Sequence, residues 1–193
     1  MPVICVLEMS LNLVIGPMWA GKSSCILSKI RRYEAIGWSV MTITSSLDER
    51  YGSHVIANHD RDSVPAVAVT KLMPFLNDEK YKGSRLIVLE ESQFFPDLVD
   101  FVLTAVEKDK KHVLCVGLDG DSERRPFGDI LKLIPYCDTV EKITSLCSEC
   151  GDGTPALFSY RCVEAKEEGQ VLVGAKDAYK PLCRKHYLKN KNV

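Results

Sequence analysis

Gly16-Pro17-Met18-Trp19-Ala20-Gly21-Lys22-Ser23 follows the apolar run Leu11 to Ile15 and precedes a segment with apolar residues at helical spacing. No other stretch limits the fold as strongly. The pattern G-x-x-x-x-G-K-S needs a strand, a tight turn and a helix in that order, because the backbone N–H groups of the turn must converge on an anion. Glycine lets the backbone turn with positive φ and approach the anion closely, and the helix start adds partial positive charge. The lysine of such a loop reaches the β/γ-phosphates, and the serine hydroxyl is placed to ligate Mg²⁺. The strand-loop-helix context favours this reading over a glycine turn with an incidental Lys-Ser.

The rest of the chain extends an α/β pattern from that start. Cys25, Ile26, Leu27, Ile30, Tyr33 and Ile36 recur on one helical face, and Gly37 ends the helix. Val40 to Thr44 is the second strand of a βαβ unit. Residues 45–64 are polar and read either as a solvated loop or as one that moves or binds. Val67 to Val69 predicts a short strand, and Lys71 to Tyr81 a helix with Pro74 in its first turn. Leu86 to Leu89 then runs into Glu90 and Glu91, the Walker B position. One acid there holds Mg²⁺ directly or through water, and its neighbour can polarise an attacking group. Beyond it, Leu98, Phe101, Val102 and Ala105 have the spacing of a core-facing helix. Phe94 and Phe95 are candidates for core or for a base-stacking wall, with core expected of one of them. His112 to Leu118 is a buried strand leading into Asp119 to Gly128, a loop at a strand's carboxyl end, where open α/β sheets bind ligands. Arg124 and Arg125 in that loop face phosphate, neighbouring acids or solvent. Ile130 to Ile134 predicts a short helix and Thr139 to Thr144 the last strand.

From Leu146 the composition changes. Cys147-x-x-Cys150 and Cys183-x-x-His186 offer three thiolates and one imidazole, a closed tetrahedral set suited to structural Zn²⁺ with no vacant position for chemistry. Ala156 to Val163 and Gln170 to Gly174 read as two strands joined by the charged turn Glu164 to Gly169. The expected organisation is therefore a P-loop ATP-binding α/β domain over 1–145 and a zinc-binding β-ribbon over 146–193. A net charge of -1 over 193 residues argues against nucleic acid as a partner. The apolar runs are strand-sized and no signal peptide pattern is present, so neither membrane span nor secretion is expected, and the eight cysteines should be reduced thiols or metal ligands. Cys5, Cys25, Cys115, Cys137 and Cys162 read as buried thiols.

Five motifs in order, G-P-M-x-x-G-K-S, D-x-R-Y with H-D-R, an acidic strand end with Q-F-F-P-D, L-D-G-x-x-x-R-P-F-G and the final Cys/His set, closely resemble the type II thymidine kinases over residues 10–187. The resemblance implies a RecA-like P-loop core with a mostly parallel sheet and helices on both faces, phosphoryl transfer from ATP to the 5′-hydroxyl of thymidine or deoxyuridine, a cytoplasmic enzyme of pyrimidine salvage, a homotetramer or homodimer, and feedback inhibition by dTTP. Carried onto matching positions, it makes Gly16 to Ser23 the ATP phosphate site, with Lys22 stabilising charge and Ser23 ligating Mg²⁺. Glu91 matches the catalytic glutamate. Asp48, Arg50 and Arg61 match charged residues near the phosphates, Arg50 neutralising charge on the transferred group. Met18, Phe94, Leu118, Phe127 and Tyr179 match the base pocket, and Leu172, Val173, Gly174, Ala175, Lys176 and Asp177 match the lasso that covers the base.

Two positions depart from the family pattern. Glu90 stands where aspartate is usual, and Ser122 stands where an aromatic is usual, which points to a looser preference among pyrimidine nucleosides. Competing readings are a kinase of different or broader deoxynucleoside specificity, and a P-loop ATPase or nucleic-acid-binding module whose ribbon meets a partner.

Overall fold

The computed structural model describes residues 8–47, 55–57, 62–162 and 178–192. The chain opens with β1 (Ser10–Ile15), α1 (Lys22–Glu34) and β2 (Val40–Ser45), followed by the short strands β3 (Val55–Ala57), β4 (Ser63–Pro65) and β5 (Val67–Val69). Next come α2 (Glu79–Gly83), β6 (Leu86–Leu89), α3 (Leu98–Leu103), β7 (His112–Gly117) and β8 (Thr139–Lys142). The C-terminal part holds β9 (Ser145–Leu146), β10 (Pro155–Ala156), β11 (Phe158–Arg161), β12 (Tyr179–Leu182) and α4 (Arg184–Asn190).

Six strands form one sheet in the order β5-β2-β6-β7-β1-β8, and every pairing in it is parallel. Alternate residues of the central strands serve opposite faces, as the period-2 geometry of a strand requires. Leu11, Leu13, Ile43, Ile87, Leu89, Val113 and Cys115 point to one face and pack with Leu98, Phe101, Val102 and Ala105. Val14, Leu86, Val88, Leu114 and Val116 point to the other and pack with Ile26, Leu27 and Ile30 of α1. This is the α/β sheet with helices on both faces that the motif order implied. The carboxyl ends of β1, β6 and β7 therefore emerge side by side, and the loops that follow them can share one site.

Several elements differ in detail from the expectation. The helix over 71–81 is two pieces, a 3₁₀ turn Met73–Asn77 and α2, because Asp78 is extended and its carboxylate caps α2 by accepting from the N–H groups of Lys80 and Tyr81. Ile36 lies past the end of α1 and is 66% exposed, so it is not part of the buried helix face. Part of the polar stretch 45–64 is an antiparallel hairpin, β3 with β4, whose Ile56 is fully buried against α1. α3 continues into a single π-helical turn, Thr104–Lys108, which still presents Ala105 and Val106 to the core. The edge strand β8 is exposed along its length, Val140 included. Among the spare thiols Cys115 is buried, Cys25 and Cys137 are half-buried, and Cys162 is exposed rather than buried. Cys5 lies outside the described residues.

The C-terminal ribbon holds a strand not expected from the sequence, β12. β11 pairs antiparallel with β12, in the register Phe158 to Leu182 and Arg161 to Tyr179. The expected partner, Gln170 to Gly174, lies outside the described residues. A separate small core of Ala156, Leu182, Tyr187, Cys147 and Cys183 fills the space between this ribbon, β9–β10 and α4.

Candidate active site

The phosphate loop runs from the end of β1 to the start of α1. Gly16 passes so close to β8's continuation that a Cβ there would lie 2.3 Å from the Ile143 carbonyl oxygen, so only glycine fits. Gly21 adopts the left-handed conformation with φ 78° and starts α1 with no side-chain cap. The first turn of α1 carries no acidic residue, which leaves its N–H groups and dipole directed at an anion. Lys22 lies folded over the loop, with Nζ donating to the carbonyls of Pro17 at 2.8 Å and Gly16 at 3.2 Å.

Ser23 joins this loop to the acids at the end of β6. Its hydroxyl donates to Glu90 Oε1 at 2.7 Å, so a hydroxyl and a carboxylate oxygen stand together beside the lysine. That is a hard-oxygen pair of the type a divalent cation takes. Glu90 and Glu91 are both 9% exposed. Glu91 has left-handed backbone, φ 51° and ψ 42°, unusual for a residue with a side chain. Its Oε2 accepts from Gln93 Nε2 at 2.5 Å. Gln93 Oε1 in turn accepts from the N–H of Leu118 at 3.0 Å, just beyond β7.

The candidate base-pocket residues sit on the phosphate loop, on the segments that follow β6 and β7, and on β12. Phe94 and Phe127 meet edge to face with centroids 5.5 Å apart, Phe127 buried and Phe94 half-buried, while Phe95 belongs to the core. Leu118 is tied to Glu91 through Gln93. Met18 donates its N–H to Ser159 Oγ at 2.9 Å, so the phosphate loop is fastened to the ribbon strand β11, which pairs with the strand carrying Tyr179. The loop 119–128 is shaped by its own acids: Asp121 accepts from the N–H groups of Glu123 and Arg125 and pairs with the Arg125 guanidinium at 2.8 Å. Arg124 lies 4.7 Å over the ring of Tyr187. Both arginines thus have acidic or aromatic neighbours within the protein. Of the remaining loop residues, Pro17 is buried, Ala20 is half-buried and Trp19, with φ 66°, is exposed. Asp48, Arg50, Arg61 and the whole of Leu172 to Asp177 lie outside the described residues.

Cys147, Cys150, Cys183 and His186 converge with all four candidate ligand atoms within 4.8 Å of one another. Zinc bonded to sulfur and nitrogen in a tetrahedron requires edges of about 3.8 Å between thiolates and about 3.6 Å from thiolate to nitrogen. Four of the six separations fit: Cys150 Sγ to Cys183 Sγ is 3.8 Å, and His186 Nδ1 lies 3.3–3.5 Å from the three sulfurs; the other two are within 4.8 Å. Glu149, between the first two cysteines, accepts from Lys180 at 2.6 Å and from Asn190, bracing the knuckle against β12 and α4. The Lys180 hydrogen bond holds its carboxyl below the usual carboxylate range. Tyr187 of α4 donates to the Ser122 carbonyl at 2.6 Å, so the ribbon also grips the loop after β7.

Sequence reasoning missed Gln93 and Ser159. Gln93 stood inside the quoted Q-F-F-P-D motif, whereas Ser159 lies in an ordinary alternating strand and carried no signal of its contact with a loop 141 residues away.

A parallel sheet with a G-x-x-x-x-G-K-S loop, a serine paired with a buried acid and a second buried acid linked through Gln93 to the loop after β7 are the features of a P-loop phosphotransferase, here carrying a Cys₃His ribbon. Comparison with known proteins narrows the class. The family described as Thymidine kinase matches residues 9–187, and the chain belongs to that family. It is 38% identical over 182 residues to a thymidine kinase of rice, a match covering 92% of this chain and 66% of the rice protein. It is 38% identical over 186 residues to thymidine kinase a of Arabidopsis thaliana, covering 94% and 76%. A thymidine kinase of Monkeypox virus is 38% identical over 178 residues, covering 92% and 96%. Membership supports a kinase that phosphorylates thymidine and implies ATP and a divalent metal.

Proposed function

We propose that this chain transfers the γ-phosphate of ATP to the 5′-hydroxyl of thymidine, giving dTMP and ADP. The observation that supports the reading is the hydrogen bond from Ser23, at the end of the G-x-x-x-x-G-K-S loop, to Glu90, with Glu91 beside it bridged through Gln93 to Leu118 after the neighbouring strand β7. The loop from Gly16 to Ser23 binds the phosphates through its N–H groups, and Lys22 leaves the loop carbonyls to meet their charge. Ser23 and Glu90 are the residues that would hold Mg²⁺, which supplies neutralisation of phosphate charge when bound. Glu91 orients the 5′-hydroxyl and accepts its proton as the oxygen–phosphorus bond forms. A loose transition state needs little base strength until late, so orientation contributes most of the effect. Arg50 is assigned to the charge of the transferred group, with Asp48 and Arg61 beside it.

Met18, Phe94, Leu118, Phe127 and Tyr179 line the base, and Leu172 to Asp177 cover it with backbone donors and acceptors. The Cys₃His cluster holds structural Zn²⁺, which ties together the two ends of the ribbon over 146–193, while the hydrogen bonds Met18–Ser159 and Tyr187–Ser122 fasten that ribbon to the P-loop domain over 1–145. Assembly as a homotetramer or homodimer, inhibition by dTTP and a cytoplasmic location complete the proposal. Among the described residues no helix is long and apolar enough to cross a membrane.

Glu91→Gln tests the assignment: turnover should collapse while ATP still binds, and near-normal kcat would remove Glu91 from its role. Comparison of kcat/KM for thymidine, deoxyuridine, deoxycytidine and purine nucleosides tests the acceptor. A preference for thymidine and deoxyuridine is expected, and deoxycytidine or a purine nucleoside as best substrate would overturn it.

A further inference from the structure

Gln93 occupies a position built for it on three sides. Gln93 is 4% exposed, and its side chain bridges the Glu91 carboxylate and the backbone of Leu118. A carboxylate only accepts and a backbone N–H only donates, so these two neighbours determine which way the carboxamide points. Nε2 faces Glu91 and Oε1 faces Leu118. Space for this arrangement comes from two glycines. A Cβ on Gly117 would lie 2.4 Å from Gln93 Oε1, and a Cβ on Gly128 would lie 1.9 Å from the Gln93 carbonyl oxygen. Gly128 moreover has φ +58°, where a side chain is strained in any case.

Glu91 needs such support. Its left-handed backbone is a conformation that other L residues leave readily, and its side chain has three rotatable bonds between the backbone and the carboxylate. We propose that Gln93 is a positioning residue for Glu91. Its amide N–H holds the carboxylate in one orientation, and its carbonyl fixes that orientation to Leu118, on the loop assigned to the nucleoside. The acid and the acceptor's binding wall are thereby set in one register. The inference rests on the reading of Glu91 as the group that meets the 5′-hydroxyl.

The test is a mutant cycle on the full-length enzyme. Gln93→Leu removes both hydrogen bonds. Gln93→Glu keeps the volume and an acceptor for the Leu118 N–H but places an oxygen where the donor to Glu91 stood, so it preserves the anchor and disturbs only the orientation. Each variant should lower kcat about 10²-fold, the loss expected when a reacting group is misplaced by about 1 Å. ATP affinity, read by calorimetry, should stay within about twofold, the limit for independent sites. In a Glu91→Gln background the same changes should cost less than about threefold, because the group being positioned is gone. Equal losses in both backgrounds, or ATP affinity falling in parallel with kcat in Gln93→Glu, would overturn the positioning role while leaving Glu91's role intact. Near-normal kcat in Glu91→Gln alone would instead overturn the underlying assignment and the inference with it.

Discussion

Gly128→Ala is a sharp perturbation because the structure gives its size. The added Cβ would stand 1.9 Å from the carbonyl oxygen of Gln93, where real Cβ contacts do not fall under 3.0 Å. The backbone at Gln93, or the loop carrying residue 128, must therefore retreat by about 1.1 Å, and neither is the free end of a flexible side chain. Alanine at φ +58° adds backbone strain of about 1–2 kcal/mol. Glu91 stands two residues before Gln93 and is held by it, so the retreat is transmitted to the carboxylate. Misplacement of this size costs about 10²-fold in kcat, or about 2.7 kcal/mol of barrier. The phosphate loop stands on β1 and α1, away from the collision, so ATP affinity should hold. Steady-state kcat measured with saturating thymidine, alongside calorimetric ATP binding and a thermal melt, checks this. A folded variant with kcat within threefold of the parent would refute the idea that the contact of residue 128 with Gln93 governs the site.

Three further outcomes follow from other contacts. Metal analysis should find about one Zn per chain, lost in Cys147→Ser together with a lower melting temperature, since a ribbon with so small a core depends on its metal; a metal-free protein of unchanged melting temperature would contradict it. Ser159→Ala strands the Met18 N–H, and should cost about 1–2 kcal/mol of stability and weaken ATP binding in calorimetry; unchanged values would show the ribbon and phosphate loop to be independent. His112, at the amino end of β7, is held below its ordinary value of 6.5 by burial first and by the Arg85 guanidinium second, so the unfolded chain binds its proton more readily. Its contribution is full above pH 6.5 and is lost as pH falls through the lower folded value, so denaturant melts should show falling stability below pH 6.5 and a shallower fall in His112→Gln.

Much of this arrangement was legible from residue order because each motif carries local physics. The glycines and lysine of the loop from Gly16, the apolar strand ending at Glu90 and the paired knuckles around Cys147 and Cys183 each state a geometry within a few residues. Contacts made by topology were not legible. Nothing near Ser159 announces that its hydroxyl meets Met18, and Gln93 reads as one more polar residue until β6 and β7 lie side by side. The break at Asp78 was readable as a helix cap but was hidden inside a longer apolar pattern. The pairing of Phe158 to Arg161 with β12 was not legible for a related reason: alternation identifies a strand but does not choose its partner.

In the proposed reaction the acids at Glu90 and Glu91 turn a phosphate loop into a device that hands phosphate to thymidine. Incubation of the purified chain with γ-labelled ATP, Mg²⁺ and thymidine, with products separated chromatographically, tests this most directly. Label should appear in the 5′-phosphate of dTMP with one ADP formed per dTMP, and little ADP should form when thymidine is omitted. Label released only as inorganic phosphate, at a rate indifferent to nucleoside, would contradict it.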